Sequence, residues 1–201
     1  MVAAADEYWN HNVHYQPVIL GAVPEGCGAA LDVGCGDGLL VRKLAGRCAA
    51  VTGIDRDGPI LDRARAHPGS PANAAYVEGD FLGYPFDEGS FDFACANTAL
   101  HHMDFGAALA KLAGLLRPGG RLAVVGLGRD DSPADWAIGA AGIPANLYYK
   151  RTRGEVNPGA PVMDPDMSWA QVRRAAARVL PGVRYQRHLL WRYSLRWTKP
   201  A

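Results

Sequence analysis

The glycine-rich segment after the first apolar run constrains the fold more than any other feature. The residues "LDVGCGDGLL" (31–40) read as a buried strand ending at Gly34, a loop with further glycines at Gly36 and Gly38, and the start of a helix. Glycine permits a positive φ and lets a ligand approach the backbone, and a helix N-terminus favours an anion. The segment therefore predicts a strand–loop–helix unit whose loop binds a ligand.

Strands and helices alternate along most of the chain. Such alternation implies parallel pairing and predicts an α/β fold with a doubly wound sheet. Asp104 and Ser132 are placed to cap helices, and Ser168 with Gln171 makes a capping box. The predicted strands lie at 29–34, 50–55, 74–80, 91–97, 121–127, near 183–188 and near 191–198.

The stretch 128–167 breaks this alternation, apart from a predicted helix at 133–148. A connection of this length is often functional, and we expect it to cover the carboxyl ends of strands four and five as a substrate cap. The alternative is a simple surface excursion. A cap would place Lys150, Arg151 and Arg153 at the rim of an apolar pocket. Its walls would be Trp136, Ile143, Leu147, Tyr148 and Tyr149.

Length and charge favour one soluble, cytoplasmic domain over residues 1–201. No apolar run approaches the roughly 20 residues of a spanning helix, and "MVAAADEYW" lacks a secretory signal. The net charge is +1, but the C-terminal part is basic, which suits nucleic acid or an acidic ligand. In the last strand, however, Arg192, Ser194 and Arg196 alternate with apolar residues, which predicts a solvated face.

The cysteines and histidines do not predict a metal site. The pair His11 and His14 has helical ligand spacing, but no third ligand is evident. The cysteine spacing suits neither zinc nor a disulfide framework. Small buried apolar residues are the expected role of Cys27, Cys35, Cys48 and Cys95.

Residues at the strand ends narrow the class of ligand. The dinucleotide fingerprint G-x-G-x-x-G fails, because Leu39 stands where its last glycine belongs. A nicotinamide oxidoreductase is therefore disfavoured. Asp55 ends the second strand, where a carboxylate can accept hydrogen bonds from ribose hydroxyls. Asp80 follows the third strand, and Asn97 ends the fourth.

With these pieces, residues 28–128 resemble the class I S-adenosylmethionine-dependent methyltransferases, and the C-terminal part does so more loosely. The nearest likeness is the UbiE-like, small-molecule branch. The resemblance implies a Rossmann-like seven-stranded sheet, mostly parallel with an antiparallel C-terminal strand, and S-adenosyl-L-methionine as cofactor. The motifs that carry it are "LDVGCGDG", "GID", "EGDF", "FDFACANTALHH" and "LLRPGGRL".

The resemblance also implies roles for individual residues. Gly34 and Gly36 would pass under the methionyl part of the cofactor, with Asp32 near its amino group. Asp55 would hold the ribose hydroxyls. The remaining expected contacts are Arg56 and Phe81 beside the adenine, Asp80 at its amino group and Asn97 at the sulfonium.

Methyl transfer from a sulfonium needs alignment, exclusion of water and, where the nucleophile carries a proton, a base. His101 and His102 follow the fourth strand and are the candidate catalytic residues; packing and loop closure are their alternative role. In nucleic-acid amino-methylases of this family, prolines follow the position that Asn97 occupies here. In metal-dependent catechol enzymes, an aspartate occupies that position. Neither pattern is present, so we expect no nucleic-acid, membrane or metal partner.

The expected function is methyl transfer to oxygen, nitrogen or carbon of a small acceptor of acidic or aromatic character. The sequence leaves three other possibilities: a cofactor-bound enzyme that does not methylate, such as a cyclase; a nicotinamide enzyme; and a protein-interaction module with a decayed site. The acceptor's identity and the oligomeric state are left open.

The aromatic segment "YWNHNVHY" (8–15) precedes the predicted core. We expect residues 1–27 to form a lid helix over the cofactor, which Pro17 would start or bend. His11 and Tyr15 would share the face that reaches the cofactor. The alternative is an amphipathic helix packed on the sheet edge.

Overall fold

A computed structural model describes residues 8–156 and 163–201. Its helices and strands follow the predicted alternation. In chain order they are α1 (His11–His14), α2 (Gln16–Leu20), β1 (Ala29–Val33), α3 (Leu39–Ala45), β2 (Ala50–Asp55), α4 (Gly58–Ala66), β3 (Ala74–Glu78), β4 (Phe91–Asn97), a 3-10 turn (Leu100–His102), α5 (Phe105–Leu115), β5 (Leu116–Gly126), α6 (Pro133–Arg153), α7 (Trp169–Val179), β6 (Arg184–His188) and β7 (Arg192–Thr198).

The seven strands form one sheet in the order β3-β2-β1-β4-β5-β7-β6. Strands β1 to β5 pair in parallel, and β7 runs antiparallel to both β5 and β6. The predicted mostly parallel sheet with an antiparallel C-terminal strand is confirmed. Strand order reverses between β1 and β4, which is where ligands bind in open α/β sheets.

Helices cover the two faces of the sheet and bury separate apolar clusters. On one face, α5 and α7 pack on the strands through residues such as Leu109, Leu112 and Val172. On the other face lie α2, α3 and the chain that precedes them, with Ile19 and Leu44 fully buried. All four cysteines are buried, as predicted.

The predicted helix starts are confirmed by side-chain hydrogen bonds. Asp104 accepts from the Ala107 amide, and Ser168 with Gln171 makes both bonds of a capping box. α6 extends beyond the predicted 148 to Arg153. It contains Pro144 and ends at Gly154, whose φ of 67° is favourable only for glycine.

Two stretches differ from the sequence prediction. The segment from Leu116 pairs with β4 five residues before the predicted start at 121, across a register irregularity opposite Phe91 and Phe93. The expected N-terminal helix is two short helices that meet at Tyr15, because Pro17 lies in the first turn of the second. Among residues 8–156 and 163–201, no helix has the length and hydropathy needed to cross a bilayer.

Candidate active site

A cavity of about 600 Å³ lies at the carboxyl ends of β1, β2 and β4, a volume typical of small-ligand sites. The glycine loop forms its floor, and the N-terminal segment forms part of its wall. Most residues predicted for the site line it: Asp32, Gly34, Gly36, Asp55, Arg56, Asp80, Phe81, Asn97, His101 and His102.

The glycine loop folds tightly because its glycines adopt positive φ angles. Gly34 (φ 71°) donates its amide to the Ile54 carbonyl at 2.8 Å, and a Cβ there would stand 2.3 Å from the Cβ of Ala99. Gly36 (φ 53°) and Gly38 (φ 75°) complete the turn into α3. A side chain at Gly34 would therefore push β1 away from the turn that follows β4.

Asp55 is fixed by main-chain amides at the end of β2. Its Oδ2 accepts from the Gly36 amide at 2.8 Å, and its Oδ1 accepts from the Asp57 amide at 3.1 Å. Each carboxylate oxygen has a further lone pair. The carboxylate can therefore still accept from a pair of hydroxyl groups in the cavity.

At the end of β3, Asp80 and Phe81 line the same side of the cavity as Asp55. Phe81 is buried, and Asp80 is held by the Gly83 amide, which donates to its Oδ2 at 3.1 Å. Ile60 of α4 also lines this side, although no motif in the sequence marks it as functional.

Asp32 is buried at the end of β1, with 1% of its surface exposed. Burial raises the pKa of its carboxyl to about 7, and the nearby charges of Asp55 and Asp37 add to the rise. The Cys95 thiol, at 3.5 Å, is the side-chain partner that the described residues offer it. A cation in the cavity would stabilise its ionised form.

The N-terminal segment enters the cavity through residues other than the two predicted. Asn12 lines it and accepts from the Asn97 side chain at 3.1 Å through its carbonyl, and Tyr8 donates to Asp37 at 2.9 Å. His11 and Tyr15, the two residues expected to reach the cofactor, do not line the cavity, because the break at Tyr15 turns both side chains elsewhere. His11 bonds to Asn146 of α6, and Tyr15 donates to the Leu189 carbonyl.

His101 and His102 sit in the 3-10 turn after β4, with ring centroids 4.1 Å apart. Burial, and then the charges of His102 and Arg192, lowers the pKa of His101 to about 4. Its imidazole is thus neutral near pH 7, and no described residue forms a hydrogen bond with its buried Nδ1. The pKa of His102 is lowered by burial and by the charge of Arg56, which lies toward the Asp55 side of the cavity.

Arg192 is the lining residue that the sequence placed wrongly. The predicted solvated face of β7 is exposed at Arg196, but Arg192 and Ser194 are buried. β7 lies between β5 and β6, and the N-terminal helices cover this face. His188 of β6 bonds to Ser194 at 2.8 Å beneath them. An alternating pattern could not reveal this cover, because it comes from a segment almost 180 residues away.

Comparisons with known proteins agree with this geometry. A family described as "Methyltransferase domain" matches residues 31–124. An uncharacterized methyltransferase of Mycobacterium tuberculosis is 36% identical over 98% of this chain and 100% of its own length. The chain belongs to the class I S-adenosylmethionine-dependent methyltransferases.

A further relative and a solved structure are also similar to this methyltransferase. A demethylmenaquinone methyltransferase of Staphylococcus aureus is 35% identical over 45% of this chain and 39% of its own. The fold matches a phosphoethanolamine N-methyltransferase of Haemonchus contortus, solved with phosphomonomethylethanolamine and S-adenosylhomocysteine. That match has a TM-score of 0.66 and 17% identity, and it covers 94% of this chain and 53% of the other.

The donor set of the cavity fits S-adenosylmethionine, the cofactor of this family. The buried Asp32 carboxyl has no cationic partner among the described residues, and the ammonium of an amino acid would supply one. Asp55 keeps free acceptor capacity for a ribose diol. A Cβ on Gly36 would stand 3.7 Å from Ile60 Cδ1, within space that a ligand can use.

The described part of the segment 128–167 does not build the pocket expected of it. Of its predicted aromatic and aliphatic walls, none lines the cavity, and Trp136, Leu147 and Tyr148 are 62%, 61% and 64% exposed. α6 packs instead on the N-terminal segment, where Tyr149 stacks on Trp9 with ring centroids 5.6 Å apart. This segment reaches the methyltransferase cavity through Met163.

Metal chemistry has no ligand set in the described part of this methyltransferase. Within residues 8–156 and 163–201, no group of three or more His, Cys, Asp or Glu side chains is placed to hold an ion. His11 and His14, which have helical ligand spacing, each contact the aromatic ring of Trp9 instead.

Proposed function

We propose that this methyltransferase transfers the methyl group to a small organic acceptor, by in-line displacement at oxygen, nitrogen or carbon. The observation that carries the proposal is the cover over the cavity. The N-terminal segment is hydrogen-bonded to Asn97 through the carbonyl of Asn12, next to the expected position of the sulfonium. A small molecule fits beneath such a cover, whereas a loop of protein or a nucleic-acid strand would have to displace it.

The cofactor would lie across the glycine loop. We assign the methionyl amino group to Asp32, with Gly34 and Gly36 beneath the chain, and the ribose hydroxyls to Asp55. The adenine would lie against Phe81. Arg56 and Asp80 would border its edge, and Asn97 would face the sulfonium.

The bound cofactor supplies an electrophilic methyl group on a positively charged sulfur. The chain's own residues would align the acceptor on the side of Asn97 away from the ribose, where His101, Leu127 and Met163 line the cavity. A nucleophile that carries a proton must lose it, and the neutral imidazole of His101 can accept it. His102 lies nearer Asp55 and Arg56, so we assign it to closing the cofactor side.

The N-terminal segment from Tyr8 to Leu20 would act as the lid of the site, and 128–167 as a brace behind that lid rather than a pocket wall. The named relatives are consistent with a small acceptor. One is a demethylmenaquinone methyltransferase, and the matched structure holds phosphomonomethylethanolamine.

The test is a transfer assay with methyl-labelled S-adenosylmethionine. A cell extract is separated into small molecules, protein and nucleic acid, and each fraction is incubated with the protein. We expect label in the small-molecule fraction, with a mass gain of one methyl group, and none with the Asp55→Ala variant. Label only in a macromolecular fraction, or a product rearranged without gain of mass, would contradict the proposal.

A further inference from the structure

Arg192 places a buried positive charge on the acceptor side of the cavity. It begins β7, which runs antiparallel to β5, so it lies at the same edge of the sheet as the carboxyl ends of β4 and β5. Its side chain is 7% exposed and lines the cavity together with Leu127, Met163 and His101. The charge of Arg192 helps to lower the pKa of His101, which places the two groups close together.

The guanidinium of Arg192 is only partly satisfied by the protein. Nη2 donates to Asn12 Oδ1 at 2.7 Å, and Nη1 donates to the carbonyls of Leu190 and Trp191 at 3.3 and 3.2 Å. Nε is buried and has no hydrogen-bond partner among the described residues. No carboxylate in residues 8–156 or 163–201 forms a salt bridge with this side chain.

A buried cation without an anionic partner is costly to keep in a folded chain. Burial lowers the pKa of Arg192 to about 10, so the side chain remains charged near pH 7. The turn before it adds to the cost, since Leu190 and Trp191 both adopt positive φ angles of 57° and 55°. The charge of Glu155 acts on Arg192 from a distance, but Glu155 pairs with Lys150. Within the described residues the fold thus holds, at one place in the cavity, a positive charge that no carboxylate contacts, as a binding site for an anion would require.

The cavity's own carboxylates do not supply that anion. The carboxylates that line it lie at the ends of β1, β2 and β3, on the cofactor side: Asp32, Asp37, Asp55, Asp57 and Asp80. Arg192 lies on the opposite side, beyond Asn97. One positive charge in this position matches a group with one negative charge, which favours a carboxylate over a doubly charged phosphate.

We propose that the acceptor carries a carboxylate, which binds to the guanidinium of Arg192 and orients the acceptor for methylation. This inference rests on the proposed function, since it names the acceptor class of the same site. The carboxylate is held and not methylated, because hydrogen bonds from a guanidinium reduce the nucleophilicity of its oxygens. A second atom of the acceptor attacks the methyl carbon.

The step balances without a further reactant. The bond from the acceptor's nucleophilic atom to the methyl carbon forms as the sulfur–carbon bond breaks, and the electron pair of that bond stays on sulfur. The positively charged sulfonium becomes a neutral thioether. A proton leaving the nucleophile passes to the neutral imidazole of His101, and Arg192 keeps its charge throughout.

The test measures binding of benzoate, and of its neutral counterpart benzamide, to protein saturated with S-adenosylhomocysteine. We expect benzoate to bind the unaltered protein about ten-fold more tightly than benzamide, and Arg192→Met to abolish that preference. Arg192→Lys keeps the positive charge and should retain part of the preference for benzoate. Arg196→Met, on the exposed part of the same strand, is the matched control and should leave the preference unchanged.

Affinity for S-adenosylhomocysteine is measured on the same variants. Because Arg192→Met also removes the hydrogen bond to Asn12 Oδ1, we expect this affinity to fall by no more than about ten-fold. A large loss there, with the benzoate preference intact, would assign Arg192 to the carboxyl group of the cofactor and overturn the proposal. So would equal binding of benzoate and benzamide to the unaltered protein, or no measurable benzoate binding, and neither result requires the variant to fold.

The two proposals fail separately. Absence of label in small molecules would contradict the proposed function while leaving the anion preference of Arg192 measurable. Loss of the preference would leave methylation of an uncharged small acceptor in place.

Discussion

The side-chain amide of Asn97, at the end of β4, donates to the main-chain carbonyl of Asn12 at 3.1 Å. This bond joins the centre of the sheet to a segment 85 residues earlier in the chain. It places the cover of the cavity and the proposed methyl-transfer point in direct contact, so loosening one should be measurable at the other.

Asn97→Ala should loosen the N-terminal segment and weaken cofactor binding. Removing the donor costs about 0.5–1.5 kcal/mol for one hydrogen bond, which is roughly a two- to ten-fold loss of affinity for S-adenosylhomocysteine. Hydrogen exchange in the presence of S-adenosylhomocysteine should become faster for amides of residues 11–20. Calorimetric titration and exchange mass spectrometry check the two outcomes.

Asn73→Ala is the control for that variant. Its side-chain amide also donates to main-chain carbonyls, of Ala45 and Cys48, but away from the cavity. We expect it to lower overall stability without a selective change in residues 11–20. An equal change in that segment for both variants would show that the Asn97 bond has no special part in closure.

Asp55→Asn should reduce affinity for S-adenosylhomocysteine by about ten- to hundred-fold, because hydrogen bonds to a charged group contribute about 1.5–3 kcal/mol. Calorimetric titration measures the change. Asp62→Asn is the comparison, since Asp62 makes an exposed ion pair with Arg65 on α4. Equal affinities for the two variants would remove Asp55 from the cofactor site.

Binding of S-adenosylhomocysteine should release protons near pH 6 through Asp32. Its pKa of about 7 in the free protein leaves most of the carboxyl protonated at that pH. The ammonium of the ligand favours the ionised form and lowers that pKa. Titrations in buffers with different ionisation enthalpies measure the release, which should be small at pH 8 and absent in Asp32→Asn. Undiminished release in the variant would assign the proton to another group.

Asp32 also links folding to pH in the absence of ligand. Its folded pKa is raised above the unfolded value of 3.8, so the folded protein binds more protons over this interval. Its contribution to stability is therefore present at low pH and is lost as the pH rises toward 7. Asp32→Asn should remove this part of the pH dependence of the melting temperature.

Histidine protonation should destabilise the fold on the acid side. Burial is the largest cause that lowers the pKa of each of five histidines: His11, His14, His101, His102 and His188. Such a group binds fewer protons when folded, so stability falls as the pH drops from about 6.5, the ordinary histidine value, toward the folded pKa. For His101 the pKa in the folded protein is about 4.

Thermal melts between pH 4 and pH 7.5 measure this fall. His101→Gln should make the melting temperature less dependent on pH over that range than in the unaltered protein. An identical slope in both proteins would show that His101 does not contribute to the acid transition.

Deletion of residues 1–16 is the obvious test of the lid that the sequence predicts, but its result would be hard to interpret. Trp9 and Tyr15 are buried in the apolar cluster on the face of the sheet that α2 and α3 cover. Their loss would lower stability as well as affinity. Tyr8→Phe is a more specific test of the lid, because it removes only the hydroxyl that donates to Asp37 in the glycine loop.

The sequence could place Gly34, Gly36 and Asp55 at the cavity because the features that position them are local. Gly34, Gly36 and Asp55 each follow directly from a strand end, and parallel pairing brings those ends together without further information. The predicted strands and helix caps succeeded for the same reason. Periodicity and capping residues act over a few positions of the chain.

The proposed acceptor side of the cavity could not be predicted because it depends on distant contacts. Arg192 is buried by the N-terminal segment, and the direction of His11 and Tyr15 depends on a break at Pro17 and on contacts with α6. The apolar residues of α6 matched the composition of a pocket wall. Their exposure follows from the packing of the whole helix against the N-terminal segment, which no short pattern encodes.

The separate attachments of the N-terminal segment have a kinetic consequence. Trp9 accepts from the Val156 amide, Asn12 is bonded to Asn97 and Arg192, and Tyr15 is bonded to the Leu189 carbonyl. We expect S-adenosylhomocysteine beneath this segment to dissociate only after several of these hydrogen bonds break together. Turnover would then be governed by the frequency of that opening, and the concentration of acceptor would cease to matter once the site is closed and filled.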